Sequence, residues 1–158
     1  MPVFQHHYSI TTVHANELID CVRSEVEKDG GKSVAVVVRD IFGHILATET
    51  PHDIKYGSFD FAIRKSHTVL QFNRATAEFR FSRQDDRTWV PNPDGWSDLD
   101  VATAMAGNPQ FCAWAGGIPI VYGRQGALYT VGALGISNRE ELEDHDLAER
   151  SVGRWIMT

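Results

Sequence analysis

Apolar residues recur at helical spacing in the first part of the chain, directly after Thr11 and Thr12. Either threonine can accept N–H groups of a first helical turn, so the helix is predicted to begin there. It is predicted to end at about Asp29, because Gly30 and Gly31 follow and glycine readily adopts the conformation that closes helices. The apolar positions of this helix are Ala15, Leu18, Ile19, Val22 and Val26.

Runs of β-branched residues indicate the strands. Residues 33–39, SVAVVVR, are apolar almost without interruption, which predicts a strand covered on both faces. A loop containing Gly43 and a return strand over 44–50 complete a hairpin. Further strands are predicted over 111–115, 118–122 and 127–137.

The stretch from Ser58 to Asn73 predicts a second amphipathic helix with one unusual position. Lys65 lies at the centre of its small and apolar face, between Ala62 and Val69. An ammonium group on a core-facing stripe is costly unless its charge is paired, reaches water or meets a ligand. Lys65 is therefore either an ion-paired or snorkelling lysine, or a cationic group at the floor of a pocket.

A last helix is predicted from Asn138 to about Trp155. Asn138 is interpreted as its N-cap because Glu141, three residues later, completes a capping-box pattern. The inward face is predicted to carry Leu142, His145, Ala148, Val152 and Trp155. A histidine on such a face is either a hydrogen-bonded core residue or a general acid or base, and both interpretations of His145 stay open.

Residues 82–109 differ in character from the rest of the chain. They are rich in charge, proline and tryptophan, as is typical of an excursion that covers or lines a site. Trp89 and Trp96 are predicted either to anchor this segment or to form the walls of a pocket. Ser97 with Asp100 predicts a short helix that Gly107 closes.

Taken together, the order of helix, two strands, helix, excursion, strands and helix predicts an α/β (α+β) sandwich. An antiparallel sheet of about five strands would carry the helices. The chain has 158 residues, which suffices for one domain with a buried core, and it contains no internal repeat.

Composition and charge narrow the classes of function. Apolar residues make up 42% and charged residues 23%, with a net charge of −6, which is typical of a globular protein and argues against nucleic-acid binding. No apolar run approaches the roughly 20 residues of a membrane-spanning helix, so no membrane association is predicted. The N-terminus lacks the layout of a signal peptide, and a cytoplasmic location is expected.

Cysteine and histidine patterns exclude further chemistry. Cys21 and Cys112 lie far apart in apolar contexts, which predicts buried and reduced thiols. The histidines show no metal-ligand spacing, and His6 and His7 in an N-terminal arm cannot share one face of an element, so no metal site is predicted. Signature motifs of serine hydrolases, P-loop proteins and zinc peptidases do not occur.

Four stretches together resemble the GlcG/HbpS-like family, the haem-binding-protein type that is also similar to the C-terminal domain of PduO-type proteins. They are the hairpin VAVVVRDIFGHILA, the helix SFDFAIRKSHTVLQFNRAT, the strand–turn GGIPI, and GALGIS followed by EDHDLAERSV. Their order and spacing agree over most of residues 12–156. The resemblance implies a profilin-like sandwich that assembles into homo-oligomers and binds haem, ligands of the cobalamin pathway or small organic metabolites.

The same resemblance assigns individual positions. The residues that match the family's helix lysine, glycine-rich strand–turn and acidic last-helix signature are Lys65, Gly116, Gly117, Pro119 and Asp144. His145 departs from the family, because its signature usually continues with a glutamate. The excursion with Trp89 and Trp96 is longer than the usual connection. Candidate haem ligands among the histidines are His52, His67 and His145.

Two functions from different classes stay open. The first is a small-molecule-binding protein with a pocket for haem or another planar, anionic, cyclic ligand. Its candidate ligand-binding residues are Lys65 as a cation, Gly116 and Gly117 as N–H donors, and Trp89, Trp96 and Trp114 as stacking surfaces. The second is a cofactor-independent isomerase, lyase or cyclase in which Lys65 and His145 are catalytic and act on a small cyclic or carbonyl metabolite.

Overall fold

The computed structural model describes residues 8–85 and 88–157, so the predicted arm with His6 and His7 lies outside the described residues. The helices are α1 (Thr12–Asp29), α2 (Ser58–Phe72), α3 (Asp98–Gly107) and α4 (Glu141–Ile156), and a short 3₁₀ helix spans Thr76–Phe79. The strands are β1 (Ala35–Asp40), β2 (Ile45–Glu49), β3 (Phe81–Arg83), β4 (Trp89–Pro91), β5 (Gly117–Arg124) and β6 (Ala127–Ser137).

The main sheet is antiparallel with the strand order β2-β1-β6-β5, and β3 and β4 form a separate two-stranded ribbon. Helix α2 packs on one face of the sheet, whereas α1 and α4 pack on the other. Every position of β1 is buried, because Val36 and Val38 belong to the α1–α4 side of the core while Ala35 and Val37 meet α2. The predicted α/β sandwich, with a central strand covered on both faces, is confirmed.

The starts of α1 and α3 and the end of α1 follow the local sequence signals, whereas Gly107, predicted to close α3, is its last helical residue and Asn108 is the C-cap. Thr11 caps α1, and Gly30 ends it in the left-handed region at φ 65°. Ser97 caps α3 by accepting the Asp100 N–H at 3.2 Å, and the Ser97 N–H donates to the Asp100 carboxylate at 2.8 Å. Both capping predictions are confirmed.

The strand predicted over 111–115 does not form, and this stretch is irregular. Two of its N–H groups bond to side chains of distant elements instead of a neighbouring strand. The Cys112 N–H donates to Thr68 Oγ1 at 2.9 Å, and the Ala115 N–H donates to Glu141 Oε2 at 3.1 Å. The main sheet consequently has four strands rather than about five.

Asn138 is not the N-cap of the last helix, so that prediction was wrong. The helix begins at Glu141, and Asn138 adopts φ 127° in the preceding loop. Its side-chain oxygen accepts the Lys55 N–H at 2.9 Å and the Ser58 hydroxyl at 3.1 Å, and its amide nitrogen donates to the Ser33 carbonyl at 2.7 Å. Asn138 therefore joins three segments of the chain instead of starting one helix.

The two cysteines, Cys21 and Cys112, are buried and form no disulfide. Burial raises the pKa of the Cys112 thiol to about 11, which keeps it protonated at neutral pH. No helix within residues 8–85 and 88–157 has the length and apolar character that crossing a membrane requires.

Candidate functional site

Lys65 is buried at the junction of α2, β6 and α4, with only 2% of its surface exposed. Its ammonium donates to the Ile136 carbonyl at 2.8 Å and to Asp144 Oδ2 at 3.2 Å. The side chain of Asp144 is itself 1% exposed. The core-facing charge noted in the sequence is thus paired, so the ion-paired interpretation of Lys65 is correct.

Lys65 also lines a cavity of about 380 Å³. The cavity lies between α2 and the start of α4, and its other walls include Phe61, Trp114, Arg139, Glu141 and Asp144. The guanidinium of Arg139 is engaged elsewhere, because it pairs with Asp29 at 2.8 Å. The charge of Arg139 is thus paired outside the cavity lining, whereas the charge of Lys65 lies against a residue of the cavity wall.

The absence of side chains at two glycines provides the space that Lys65 occupies. A Cβ at Gly116 would lie 2.4 Å from the Ile136 carbonyl oxygen and 2.8 Å from Lys65 Nζ, and the φ of Gly116 is 129°. A Cβ at Gly117 would lie 2.8 Å from the Lys65 carbonyl oxygen. The Gly117 N–H donates to Thr76 Oγ1 at 2.9 Å. These contacts give the glycines a role in accommodating Lys65, and the N–H of Gly117 is already used within the protein.

Asp144 has an unusual electrostatic environment. Burial raises the pKa of its carboxyl to about 6, while Lys65 and the Arg139 N–H, which donates to Oδ1 at 3.0 Å, act in the opposite direction. Because this value is close to neutral, a modest change in surroundings can shift the proton occupancy of Asp144. The sequence pattern offered His145 as the general acid or base at this end of α4 and gave no such role to Asp144.

His145 lies at a different cavity, of about 510 Å³, whose lining does not include Lys65. The imidazole is 2% exposed, and its Nε2 lies 2.9 Å from Glu149 Oε1. Trp89 stands edge-on to the imidazole with a centroid distance of 4.8 Å and lines the same cavity. The structure therefore separates the two residues that the sequence proposed as catalytic partners.

The three candidate tryptophans are also separated. Trp114 lines the Lys65 cavity and Trp89 lines the His145 cavity. Trp96 lines neither of them and packs against the rings of Phe79 and Phe111, at centroid distances of 5.2 and 5.5 Å. Trp96 is thus an anchor of the excursion, which was one of its two predicted roles.

Among residues 8–85 and 88–157, no group of three or more His, Cys, Asp or Glu side chains is arranged to hold a metal ion. The lining of the Lys65 cavity also contains none of the candidate haem ligands His52, His67 and His145.

The sequence matches the family model described as "Haem degrading protein HbpS-like" over residues 10–152. The chain belongs to the HbpS-like family, as the four sequence stretches predicted. No curated protein matches the chain.

Several solved structures share the fold. Klebsiella pneumoniae protein ORFY has a TM-score of 0.76 at 18% identity, with 100% of this chain and 98% of that chain covered. A PduOC:haem complex has a TM-score of 0.68 at 21% identity, with 92% and 94% covered. A double mutant of Streptomyces reticuli HbpS has a TM-score of 0.68 at 23% identity, with 98% and 96% covered. At these identities the similarity defines the fold alone.

Proposed function

We propose that the protein binds a small, planar, anionic molecule at the Lys65 cavity, with haem as the first candidate. The observation that carries this proposal is the buried ammonium of Lys65 at the cavity wall. A lysine ammonium has three N–H donors, and the hydrogen bonds described for it use two, to Ile136 and Asp144. The remaining donor is available to an oxygen of a ligand carboxylate.

The walls of the cavity support a flat ligand. Phe61 lies one helical turn before Lys65 on α2, and Trp114 lies on the loop before β5. Aromatic faces of this kind stack on planar rings. The volume of about 380 Å³ lies within the range of small-molecule pockets, roughly 300–1,000 Å³.

The lining also limits how haem would bind. Lys65 and the aromatic walls fit a propionate and a ring edge, but the residue types that ligate haem iron, namely His, Cys, Met and Tyr, do not occur among the lining residues. The cavity therefore recognises the periphery of a tetrapyrrole and not its metal. From this we expect metal-free protoporphyrin IX to bind about as well as haem.

The test uses a variant in which Lys65→Met is combined with Asp144→Asn. Lys65→Met alone would leave a buried carboxylate without its counter-charge, so a loss of binding could reflect damage to the fold. Removing both charges avoids that problem. The matched control is Lys28→Met, which removes an exposed lysine from the last turn of α1. Phe61→Ala, at a position that is 37% exposed, probes the same cavity without changing its charge.

Titrations with haem and with protoporphyrin IX would be followed by tryptophan fluorescence quenching and by absorbance in the Soret region. We expect saturable, stoichiometric binding to wild type and to Lys28→Met. The double variant should bind at least about tenfold more weakly, since a hydrogen bond to a charged group contributes roughly 1.5–3 kcal/mol. Absence of saturable binding of either porphyrin to wild type would refute the proposed ligand. Wild-type affinity in the double variant would refute the Lys65 site.

A second candidate function follows from the position of Asp144. A carboxyl with a pKa of about 6 beside an ammonium at a cavity is suited to proton transfer. The protein would then be a cofactor-independent enzyme acting on a small cyclic carbonyl compound, with Asp144 in the role that the sequence gave to His145. Deuterium incorporation into cyclohexanone and cyclohexane-1,3-dione, monitored by NMR, tests this reaction. Catalysed exchange that Asp144→Asn removes and His145→Gln retains is expected, and absence of catalysed exchange argues against it.

A further inference from the structure

Arg80 makes four contacts around the wall of the Lys65 cavity without lining the cavity itself. Its Nε donates to Glu141 Oε1 at 3.2 Å, and its Nη2 lies 2.6 Å from Asp98 Oδ1. Its guanidinium carbon lies 4.6 Å from the centroid of the Trp114 ring and 5.6 Å from that of Phe81. One largely buried side chain, 14% exposed, thus joins two cavity residues to the excursion.

The two cavity residues are held to each other through the backbone as well. Glu141 accepts the Ala115 N–H at 3.1 Å with the oxygen that Arg80 does not use. Ala115 directly follows Trp114, so Glu141 fixes the backbone at the tryptophan while Arg80 packs on its ring. Position and ring orientation of Trp114 therefore depend on the same pair of side chains.

Arg80 is also where the excursion begins and returns. The Asn92 N–H donates to the Arg80 carbonyl at 3.0 Å, and the Trp96 N–H donates to the Phe79 carbonyl at 2.9 Å. Asp98, which pairs with the guanidinium, is the first residue of α3. The segment over 82–98 is accordingly closed onto Arg80 at both ends.

We propose that Arg80 is the positioning residue of the Lys65 cavity, setting the Trp114 wall and coupling it to the docking of the segment over 82–98. This inference rests on the proposed function only for the measurement of ligand affinity. The cation at position 80 must be planar for this role. A guanidinium can lie on an indole face while it donates in its own plane to two carboxylates, and an ammonium cannot.

One donor of Arg80 supports this role. Its Nη1 is buried and has no hydrogen-bond partner within the described part of the chain. A buried donor of a charged group is unfavourable unless something compensates it. The electron-rich face of Trp114 lies under the same guanidinium and provides such compensation. Arg80 and Trp114 therefore stabilise each other's position.

The chain contains a close matched control. Arg83 also packs on a tryptophan and pairs with a glutamate, but these are Trp89, at 4.7 Å, and Glu149, at the His145 cavity. The variants Arg80→Met and Arg83→Met remove the same kind of group, a guanidinium packed on a tryptophan that lines a cavity. The protein would be labelled with 5-fluorotryptophan and examined by ¹⁹F NMR, with Trp114→Phe and Trp89→Phe used to assign two of the four tryptophan resonances.

We expect Arg80→Met to shift or broaden the Trp114 resonance and leave that of Trp89 in place, and Arg83→Met to do the reverse. Arg80→Met should weaken binding of protoporphyrin IX about fivefold to tenfold, because a displaced Trp114 ring loses its stacking contact with the porphyrin. Asp98→Asn, which breaks only the link to α3, should produce a smaller shift of the same Trp114 resonance. Arg80→Lys should not restore the wild-type position of the Trp114 resonance.

The fluorine resonances decide the positioning role even if wild type binds no porphyrin, so the two proposals fail separately. An unchanged Trp114 resonance in Arg80→Met would overturn the inference. So would equal loss of porphyrin affinity in Arg80→Met and Arg83→Met, because that would indicate a general effect on the fold. Circular dichroism and a urea titration of each variant identify any that do not fold, and Asp98→Asn and Arg80→Lys then supply the measurement.

Discussion

Replacing Lys65 by methionine is expected to destabilise the protein by about 3–5 kcal/mol, since it leaves one member of a buried ion pair unpaired. The pair joins Lys65 Nζ to Asp144 Oδ2 at 3.2 Å, with side chains that are 3% and 1% exposed. The Arg139 N–H still reaches Asp144 in the variant, but no second cation within the described residues pairs with this carboxylate. The loss is a large share of the total stability of a typical domain, about 5–15 kcal/mol.

The double variant Lys65→Met, Asp144→Asn should be more stable than the sum of the single losses implies. Neutral side chains of similar size can replace a buried ion pair at little net cost. Since Lys65→Met alone costs about 3–5 kcal/mol and the double variant little, the interaction energy from this double-mutant cycle should reach at least about 3 kcal/mol, the upper end of the range for directly coupled residues. A low value would mean that the two charges are stabilised separately, by Ile136 and Arg139.

The cost of Lys65→Met should depend on pH in a defined direction. Burial already raises the pKa of Asp144 to about 6 in the presence of Lys65, and loss of the ammonium raises it further. The folded variant then binds a proton that the unfolded chain releases above its ordinary pKa of about 3.9. The folding stability of the variant therefore falls as pH rises from about 3.9 to the raised pKa of Asp144 in the folded variant. The variant should be closest to wild type near pH 5 and least stable near pH 8.

Urea unfolding at both pH values, followed by circular dichroism, measures these effects through the midpoint at constant m-value. Asp60→Asn is the control on the same helix, because Asp60 is 58% exposed and pairs with Arg64; its cost should stay below about 1 kcal/mol. A buried ion pair at Lys65 is refuted if Lys65→Met costs no more than Asp60→Asn at pH 8, or if the stability of Lys65→Met rises from pH 5 to pH 8.

Three further changes test the surroundings of the pair. Gly116→Ala should lower the free energy of unfolding by about 3 kcal/mol or more, from backbone strain plus overpacking against Ile136 and Lys65. The control is Gly43→Ala, at φ 90° with open space around the Cβ, in which strain alone remains. Equal urea midpoints of the two variants would contradict a steric role of Gly116. Cys112 should resist a disulfide thiol reagent in the native Cys21→Ser variant and react fully in urea, because burial raises its pKa to about 11; fast native labelling would contradict this. Porphyrin affinity should rise as pH falls toward about 6 and level off below it, since an anion beside Asp144 raises the pKa of its carboxyl above the ligand-free value and protonation frees Lys65. Asp144→Asn should bind more tightly at pH 7.5 and lose most of that pH dependence, and an unchanged pH profile in this variant would contradict the linkage.

The elements that the sequence predicted well are those whose signals are local. Helix α1, the β1–β2 hairpin and α2 follow from periodicity and glycine positions that lie within the elements themselves. The errors at 111–115 and at Asn138 have a common cause. In both, the hydrogen-bonding partners come from residues far away along the chain, such as Thr68 for Cys112 and Ser58 for Asn138. Local patterns contain no information on such partners.

The candidate site shows the same division between local and distant information. Lys65 was recognisable because a charge interrupts an apolar stripe. His145 was predicted to act together with Lys65. However, the ion-pair partner of Lys65 is Asp144, and the side chains of consecutive helical residues point about 100° apart. The structure accordingly assigns Asp144 and His145 to different cavities. The role of Arg80 could not be predicted, because its partners Glu141, Asp98 and Trp114 come from three separate segments.

A cavity of about 700 Å³ near Tyr8 and Tyr122 is larger than the Lys65 cavity, but two pairs of its polar groups bond to each other, since Arg124 donates to the Tyr8 hydroxyl and Trp155 Nε1 donates to Glu17 Oε2. At Lys65, by contrast, two unfavourable features coincide, namely a buried ion pair and a carboxyl with a raised pKa, and Gly116 at φ 129° leaves the space that the ammonium occupies. Buried ion pairs contribute little net stability. Since the fold gains little from this pair, its burial at a cavity wall supports the proposal that Lys65 binds a ligand.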